Sequence, residues 1–571
     1  MAAVAEVAAE AQWARCPSCE AFIYHKHLKR NLGVCPECNY HFRLRIPERL
    51  EQLLDPGSFE DLSNDIAPVD FLSFTDTKPY PKRIAAAQKK SGHSSGAVYG
   101  TGTMDGHPVV VAMIDFGFIG GSMSGAVGES ITRGAELALE RGVPFIAIAA
   151  SGGARMQEGA VSLMQMVKTS QAIARLREAG VLYISLLTDP TYGGVSASFA
   201  TLGDLLVAEP GTRIGFAGRS VIEQTIRQTL PDDFQTAGFL MEKGQLDVVE
   251  PRENLRQTIR KVVKMHARGA GEAAEPRFEE AGPEAQAPVT DPDALDARSA
   301  WEVVQLARDI KRPHTLDYVE RMCDDFVELK GDRLYRDDAA IVGGLASIDG
   351  RTVMLVGHQK GHTTQTMVQR NFGMPHPEGY RKALRLMRYA ARFGMPIVAL
   401  VDTPGAFPGL EAEERGQSIA IAESILEMSR LPVPSVTVVT GEGGSGGALA
   451  LAAADRVLML ENSYYSVISP EGCSTILFKD ASKAPQAAAA LRLTAPDLLR
   501  LKVMDAAVRE PEGGAQDDHD ATAANLKRAV VETLDELVAL PVDELLKQRY
   551  ERFRMFGTAG IQPTLDPIGE Q

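Results

Sequence analysis

Long apolar runs are absent from this 571-residue chain. No stretch of about 18 uninterrupted apolar residues occurs, so we expect no membrane-spanning helix. The first ten residues, MAAVAEVAAE, lack the basic and apolar regions of a secretory signal peptide. Cysteine is scarce, with six residues, and a chain without a secretion signal rarely uses its cysteines for disulfides. These absences predict a cytoplasmic protein with no membrane partner.

An excess of positive charge is lacking as well. The formal net charge is −15, which argues against a general nucleic-acid coat but permits a local basic patch. The apolar content of 44% and the 52 glycines are typical of an α/β protein with many tight turns. A chain of this length is too long for one ordinary core, so we expect two or more domains.

Four of the six cysteines form two pairs near the N-terminus. Cys16 and Cys19 make the first Cys-x-x-Cys pair, and Cys35 and Cys38 make the second after 15 intervening residues. Four thiolates at this spacing can form the tetrahedron that Zn²⁺ prefers. We therefore predict a zinc ribbon over residues 12–45, with one structural zinc ion. Basic residues surround the ribbon, and such residues more commonly form a solvated face than a nucleic-acid-binding surface. Nucleic-acid binding is therefore expected as a secondary activity at most.

Beyond the ribbon, β-rich runs alternate with helical patterns. The runs HPVVVAMIDFGF, VPFIAIAA, VLYISLLT, MPIVALVD and PSVTVVT mostly end in glycine-bearing loops. Such alternation predicts βαβ units with buried, largely parallel strands. Residues 270–297 are rich in Ala, Glu and Pro and lack apolar periodicity, which is typical of a linker. The linker separates one domain over residues 46–269 from another over residues 298–571.

The two domains resemble each other in sequence. The strand after Gly142 leads into SGGARMQEG, and the strand after Gly394, 252 positions later, leads into DTPGAFPGLEAEERG. Farther on, VLYISLLTDPTYGGVSASFATLGDLLVAE aligns with VPSVTVVTGEGGSGGALALAAADRVLMLE. We interpret this similarity as the tandem duplication of one α/β unit.

The stretch VTGEGGSGGALA in the second domain permits three interpretations. Gly441, Gly443 and Gly446 fit the G-x-G-x-x-G pattern of a dinucleotide site. Gly443, Ser445 and Gly447 fit the G-x-S-x-G elbow of a nucleophilic serine. The two Gly-Gly pairs ahead of a small-residue helix also suit backbone amides directed at an anion.

The repeat favours the third interpretation. The partner stretch DPTYGGVSASFA contains neither of the first two patterns, but both copies keep a strand, a Gly-Gly pair and a helix that opens in small residues. His519, which would have to serve as the base for Ser445, lies in the polar segment QDDHD. Each glycine pair therefore predicts an oxyanion hole, in which backbone N–H groups stabilise developing negative charge. Two such holes suit a reaction in which two carbonyl oxygens gain charge.

Several longer motifs resemble one enzyme family. ASGGARMQEG and LTDPTYGGVSASFA, together with the ribbon, resemble the β subunit of the bacterial acetyl-CoA carboxylase carboxyltransferase. TLDYVE, VGHQKG, NFGMPHPEGYRKALRLM, DTPGAFPG and YYSVISPEGC resemble its α subunit. The resemblance covers about residues 12–556, with the usually separate subunits fused, β before α, and with a late start to the α-type half. It implies two tandem crotonase-like (ClpP/crotonase) domains, with acyl-CoA on the β-type half and biotin on the α-type half.

The resemblance also implies the reaction and its partners. Carboxybiotin on the biotin carboxyl carrier protein and acetyl-CoA give biotin and malonyl-CoA, the committed step toward fatty acids. The chain has neither an ATP-grasp pattern nor a biotinyl-lysine MKM site, so the biotin carboxylase and the carrier are expected in trans. The family precedent is an α₂β₂ assembly, which a fused chain would reproduce as a homodimer.

By motif position, the resemblance assigns glycines to the two oxygens that gain charge. The expected oxyanion donors are two pairs, Gly193 with Gly194 and Gly446 with Gly447. Gly443 and Gly444 are the alternative to the second pair, because the repeat alignment needs a small gap here. Gly152 and Gly153 are expected to line the thioester pocket. No side-chain base stands out, so the nascent biotin anion is the expected acceptor of the methyl proton.

Seven further residues carry milder predictions. Cys323 and Cys473 are expected to be buried thiols rather than nucleophiles. His358 and His362 are four residues apart, but we favour a role without metal. Three basic residues suit either the phosphates of CoA or ion pairs within the protein: Arg155, Arg213 and Lys360.

Overall fold

The computed structural model describes residues 13–219, 222–223, 227, 229–267, 285–295 and 298–556. The chain divides into two compact units, Met1–Ala267 and Arg268–Gln571. No helix among the described residues is long and apolar enough to cross a membrane.

Part of the predicted linker is an ordered edge of the second unit. Val289 pairs in antiparallel fashion with Ala507, and the Gln286 amide donates a 2.6 Å hydrogen bond to the Asn525 side chain. Residues 268–284, which make up most of the remainder, lie outside the described residues.

The first unit begins with the ribbon. Strands β1 (Trp13–Arg15) and β2 (Phe22–Tyr24) pair in antiparallel fashion, and helix α1 (His25–Arg30) follows. Ile23 and Leu28 are buried together with two of the cysteines. With so few apolar residues, this small element has little core of its own, which fits a fold held by a metal.

The rest of the first unit is built on an eight-stranded sheet with the order β10-β8-β7-β6-β5-β4-β3, in which β9 pairs with β7. Strands β5 to β8 and β10 run parallel, and β3 to β5 run antiparallel. Every residue of β6 is buried, as expected for a parallel strand covered on both faces. The strands are β3 (Glu60–Asp61), β4 (Ala97–Met104), β5 (His107–Ile114), β6 (Phe145–Ser151), β7 (Tyr183–Tyr192), β8 (Leu205–Ala208), β9 (Ile214–Gly215) and β10 (Val248–Val249).

Helix α4 shows why these sequences form helices where they do. The Ser124 hydroxyl caps its first turn by accepting from the Val127 amide, and Gly142 ends it in a left-handed conformation at φ +63°. Val127, Ile131 and Ala138 recur at helical spacing and are fully buried against the sheet. The helices are α2 (Ile46–Leu53), α3 (Tyr80–Ser91), α4 (Gly125–Arg141), α5 (Ala160–Glu178), α6 (Gly193–Ser196), α7 (Ala237–Glu242) and α8 (Arg252–Ala267).

The second unit repeats this architecture. Its eight-stranded sheet has the order β11-β12-β13-β14-β15-β16-β18, in which β17 pairs with β15. The strands are β11 (Asp325–Glu328), β12 (Ile341–Ile348), β13 (Arg351–His358), β14 (Ile397–Thr403), β15 (Ser435–Gly444), β16 (Arg456–Leu460), β17 (Tyr464–Ser466) and β18 (Ala506–Val508). The predicted pair of α/β units with largely parallel strands is confirmed.

The helices of the second unit cover both faces of its sheet. The long helix α12 carries fully buried Tyr380, Leu386 and Met387. The helices are α9 (Ala300–Ala307), α10 (Thr315–Met322), α11 (Thr364–Gln369), α12 (Pro377–Arg392), α13 (Leu410–Glu414), α14 (Gln417–Met428), α15 (Ser445–Leu449), α16 (Pro470–Cys473), α17 (Ala484–Leu491), α18 (Ala495–Arg500), α19 (His519–Val538) and α20 (Val542–Arg554).

Candidate active site

The four ribbon cysteines converge as predicted. The Sγ atoms of Cys16 and Cys38 lie 3.6 Å apart, those of Cys19 and Cys35 lie 3.8 Å apart, and all four lie within 4.8 Å of one another. A tetrahedron with Zn–S bonds of about 2.3 Å has an edge of about 3.8 Å. The two closest of these distances match that edge, so the four thiols are arranged to hold a zinc ion.

A buried ion-pair cluster fixes the ribbon to the first unit. The Glu209 carboxylate binds Arg49 and Arg252, each at 2.7 Å, and all three side chains are at most 3% exposed. Arg252 also donates to the carbonyls of Gly33 and Phe42 in the ribbon. The two arginines outweigh the effect of burial and hold the pKa of Glu209 well below its usual range. The ribbon is thus attached through a permanently charged carboxylate.

In the first unit, the strand ends bring together the four glycines Gly152, Gly153, Gly193 and Gly194. The loop after β6 meets the turn after β7 so closely that a Cβ on Gly193 would lie 3.0 Å from the Gly153 Cα. Gly153 has φ +119° and Gly193 has φ +60°, conformations that cost glycine little. Because these glycines have no side chains, the loop after β6 and the turn after β7 can pack directly against each other.

The amides of these glycines differ in whether they have a hydrogen-bond acceptor within the protein. The Gly152 amide donates to the Gly120 carbonyl at 2.9 Å, and the Gly193 amide donates to the Phe216 carbonyl at 3.0 Å. The Gly153 amide donates to the Ser151 hydroxyl at 3.0 Å. No acceptor for the Gly194 amide lies among the residues that the structure describes. Within this cluster, the Gly194 amide is the donor left without an acceptor among the described residues.

The backbone of the second unit copies this arrangement at a constant offset of 252 residues. The bulge after Ala149 between β6 and β7 recurs after Val401 between β14 and β15. Six positions with positive φ match at this offset, five of them with glycine in the first unit. The pairs are Ile119 with Asn371, Gly120 with Phe372, Gly121 with Gly373, Gly142 with Gly394, Gly153 with Gly405, and Gly193 with Ser445.

This register has no gap between Ile119 and Gly194, so Gly194 corresponds to Gly446. The Thr403 hydroxyl accepts from the Gly405 amide at 3.0 Å, as the Ser151 hydroxyl does in the first unit. Ser445 takes the place of Gly193 at φ +56°.

Gly446 and Gly447 have different surroundings. A Cβ on Gly446 would find its nearest neighbour, Ile421, at 3.8 Å. A Cβ on Gly447 would overlap the Ala406 amide nitrogen and lie 2.8 Å from the Tyr380 hydroxyl. No described residue accepts a hydrogen bond from the Gly446 amide. Of the sequence-predicted pair, Gly446 is open to a ligand, whereas Gly447 is packed.

Gly443 and Gly444 belong to the sheet. They are the last residues of β15 and pair with Tyr465 and Ser466 of β17. A Cβ on Gly444 would overlap the Pro404 carbonyl. These two glycines allow the strand and the neighbouring loop to approach, directly before the turn that carries Gly446.

Arg155 and Arg213 are engaged within the first unit. Arg155 is 1% exposed and donates to the Tyr80 hydroxyl at 2.8 Å and to the Ser122 carbonyl at 2.9 Å. Arg213 donates to the Asp189 carboxylate at 3.1 Å. Both follow the ion-pair and hydrogen-bond alternative rather than presenting a free cation to a phosphate.

Lys360 is the centre of a buried charge network in the second unit. Its ammonium donates to Asp402 at 2.7 Å and to Glu442 at 2.8 Å, and Arg308 pairs with Glu442 at 2.7 Å. Burial opposes the Asp402 charge, but Lys360 and His314 outweigh it and lower the pKa of Asp402. Arg308, Asp402 and Glu442 were not predicted from the sequence. The available signal was an acidic residue near the end of each of two neighbouring parallel strands, Asp402 in β14 and Glu442 in β15.

A cavity of about 180 Å³ lies beside this network. Its charged lining residues are Arg308, Asp309, Lys360 and Glu442, while Met367, Phe372 and Pro404 contribute apolar walls. It lies next to the loop that continues into Gly405. Apolar walls with a few polar or charged groups are typical of small-molecule sites.

The remaining candidates have structural surroundings. His358 is fully buried, whereas His362 contacts Asp317 at 2.9 Å, and the two do not form a metal cluster. Among the described residues, the ribbon cysteines form the one group that could hold a metal ion. Cys473 is buried, and burial raises the pKa of Cys323 to about 12, so that thiol stays protonated.

Comparison with known proteins identifies the family. A family model described as "Acetyl co-enzyme A carboxylase carboxyltransferase-like" matches residues 245–557, and one described as "Acetyl-CoA carboxylase zinc finger domain" matches residues 13–38. The "Acetyl-coenzyme A carboxylase carboxyl transferase subunits beta/alpha" of Saccharopolyspora erythraea is 56% identical over 549 residues, 96% of this chain and 95% of the relative. The chain belongs to the acetyl-CoA carboxylase carboxyltransferase family. It is therefore a transferase with an N-terminal zinc ribbon domain.

Other members of the carboxyltransferase family match in whole or in part. A protein of the same name from Clostridium tetani is 43% identical and covers 96% of this chain and 93% of its own length. The "Acetyl-coenzyme A carboxylase carboxyl transferase subunit alpha" of Thermus thermophilus is 61% identical over 257 residues, 45% of this chain and 81% of the relative. The predicted fusion of β and α subunits is confirmed by the full-length relatives.

Solved structures with the same fold include two carboxylating enzymes. Transcarboxylase 12S matches with a TM-score of 0.67 and 23% identity over 86% of this chain and 90% of its own. A single-chain long-chain acyl-CoA carboxylase matches with a TM-score of 0.64 and 18% identity over 86% of this chain and 45% of its own. The crotonase-like carboxyltransferase fold predicted from the sequence is confirmed.

Proposed function

We propose that this carboxyltransferase moves the carboxyl group from carboxybiotin to acetyl-CoA and so forms malonyl-CoA for fatty acid synthesis. The observation that carries the proposal is the gapless match of the backbone from Ile119–Gly194 to Asn371–Gly446. Such a pair of sites suits a reaction in which two carbonyl oxygens take up negative charge, one on each substrate.

In the first unit, the Gly194 amide faces the thioester oxygen of acetyl-CoA. Removal of a proton from the acetyl methyl group leaves an enolate whose charge rests largely on that oxygen. A fixed N–H donor stabilises this charge more than it stabilises the neutral thioester, and thereby lowers the barrier. Gly152, Gly153 and Gly193 line the site and supply the close backbone approach that keeps Gly194 in place.

In the second unit, the Gly446 amide faces the ureido oxygen of biotin. When the N–C bond of carboxybiotin breaks, its electron pair moves onto the ureido group and CO₂ is released beside the enolate precursor. The biotin anion takes the methyl proton, and the enolate carbon then bonds to CO₂. Gly443, Gly444 and Gly447 support the turn through packing, and the cavity beside Lys360 is the proposed place of the biotin ring.

The proposed partners act in trans. The biotin carboxyl carrier protein presents carboxybiotin, and an ATP-dependent biotin carboxylase regenerates it. The ribbon zinc ion, bound by its four cysteines, serves a structural role because four thiolates leave no open coordination position. The cytoplasm is the proposed location, since such thiolates need a reducing compartment.

We also propose that the active enzyme is a homodimer equivalent to an α₂β₂ assembly. Helices α5 and α14 follow the two glycine loops at corresponding positions, and both expose apolar side chains. Val167 on α5 and Ile419 on α14, again 252 residues apart, are 54% and 65% exposed, and Met164 and Leu426 are also exposed. Apolar faces of this kind mark protein interfaces.

The test of this function is malonyl-CoA formation from acetyl-CoA and carboxylated carrier protein by the purified full chain. Propionyl-CoA serves as the parallel substrate, because it differs by one methyl group. We expect a higher kcat/KM for acetyl-CoA. A chain that carboxylates neither substrate, or that strongly prefers propionyl-CoA, contradicts the proposal.

A further inference from the structure

An arginine of the ribbon reaches the end of strand β7. The Arg43 Nε donates to the Asp189 carbonyl at 3.0 Å, and an Nη donates to the Asp189 carboxylate at 3.1 Å. Asp189 lies four residues before Gly193. The same carboxylate accepts from Arg213, so Asp189 is held from two sides.

The same guanidinium also contacts the segment that follows β5. The Arg43 Cζ lies 4.1 Å from the ring centroid of Phe116, a distance that suits a cation–π contact. Phe116 precedes Gly120 by four residues, and the Gly120 carbonyl accepts from the Gly152 amide. Arg43 therefore contacts the end of β7, which leads into Gly193, and the segment whose Gly120 carbonyl binds the Gly152 amide.

The second unit has a counterpart to this arrangement. Arg308, which follows α9 ahead of the sheet, binds Glu442 at 2.7 Å, three residues before Ser445. Lys360 binds the same carboxylate at 2.8 Å. In both units, an arginine that precedes the sheet in the chain binds an acidic residue near the strand end that leads into the glycine turn: Arg43 binds Asp189, and Arg308 binds Glu442. In the first unit, this arginine belongs to the zinc ribbon.

We propose that Arg43 is a positioning residue for catalysis, through which the zinc ribbon keeps the Gly194 amide aligned with the substrate oxygen. The inference rests on the proposed function for its kinetic consequence. Oxyanion donors act only when their geometry is fixed before the reaction, and a misplacement of about 1 Å costs roughly 100-fold in rate. The ribbon is thus part of the catalytic apparatus of the first unit.

The experiment compares the zinc-loaded full chain with three variants. Arg43→Ala removes the contacts, Arg43→Lys keeps a charge but loses the forked geometry, and Arg30→Ala removes an exposed ribbon charge that forms no ion pair with a described residue. The measurements are kcat, the KM for acetyl-CoA, the zinc content per chain, and amide hydrogen exchange over residues 185–198.

We expect Arg43→Ala to lower kcat at least tenfold, with the KM for acetyl-CoA within about threefold, unchanged zinc content, and faster exchange over residues 185–198. Arg43→Lys recovers part of both kcat and protection, and Arg30→Ala matches the wild type. Wild-type kcat and exchange in a zinc-loaded Arg43→Ala chain overturn the inference. If Arg43→Ala does not fold, the same outcome in Arg43→Lys overturns it. An inactive wild type refutes the proposed function, while the exchange measurement still tests the contact.

Discussion

At the scale of the residue, Gly446 and Gly447 predict opposite responses to the same substitution. A Cβ on Gly446 would make only an ordinary 3.8 Å contact with Ile421, so we expect Gly446→Val to fold with its site blocked and its kcat lowered roughly 10²–10³-fold. Gly447→Val overlaps the Ala406 amide, so we expect a lower thermal midpoint. Ser445→Ala should keep most of the activity because the proposed mechanism includes no acyl-enzyme. An active Gly446→Val enzyme would refute the assignment of that amide.

The buried histidine of β13 makes the second unit sensitive to acid. Burial lowers the pKa of His358 from 6.5 to about 4. Between pH 6.5 and pH 4, the unfolded chain binds a proton at His358 that the folded chain does not bind. The free energy of unfolding is therefore unaffected by this group above pH 6.5 and decreases as the pH falls below it. The loss is roughly 2 kcal/mol by pH 5. We expect His358→Leu to lose less stability than the wild type between pH 7 and pH 5, as measured by urea midpoints. Equal losses in both proteins contradict the shift.

At the scale of the element, the ribbon depends on its metal. Its core contains few apolar residues, so removal of zinc should unfold it while the sheet of the first unit remains. We expect one zinc ion per chain by elemental analysis, and a loss of bound zinc in Cys16→Ala. Lys29→Ala, which changes an exposed ribbon residue, is the control. An undiminished zinc content in Cys16→Ala would show that the ligand set is wrong.

The elements differ in how far the sequence could predict them. The ribbon was predictable because its four ligands lie in two local motifs. Which glycines of the two units correspond was not predictable, because the sequence alignment needs a gap whose position is ambiguous. In the structure, the offset is still 252 at Gly446 and changes to 251 only by Asp455, so the gap falls after the site. The contact of Arg43 with Asp189 joins residues 146 positions apart, and no local pattern indicates such a pair.

At the scale of the whole molecule, the exposed faces of α5 and α14 predict a dimer that is required for activity. Ile419→Glu places a charge in the proposed interface, which disfavours association because the charge loses its hydration. We expect a fall in mass from dimer to monomer by light scattering, together with a loss of malonyl-CoA formation. Val542→Glu changes an exposed apolar residue of α20 and should leave both unchanged. A fully active Ile419→Glu monomer contradicts the assembly.

The gapless match of Ile119–Gly194 to Asn371–Gly446 has a consequence for selectivity. Two amides held by the same backbone offer the same hydrogen bond, so under the proposed function they cannot by themselves distinguish a thioester from a cyclic urea. Discrimination must come from side chains that differ at matched positions, such as Gly120 against Phe372. Exchanging one segment for the other preserves chain length, so a chimera would reveal which side chains choose the substrate for each half.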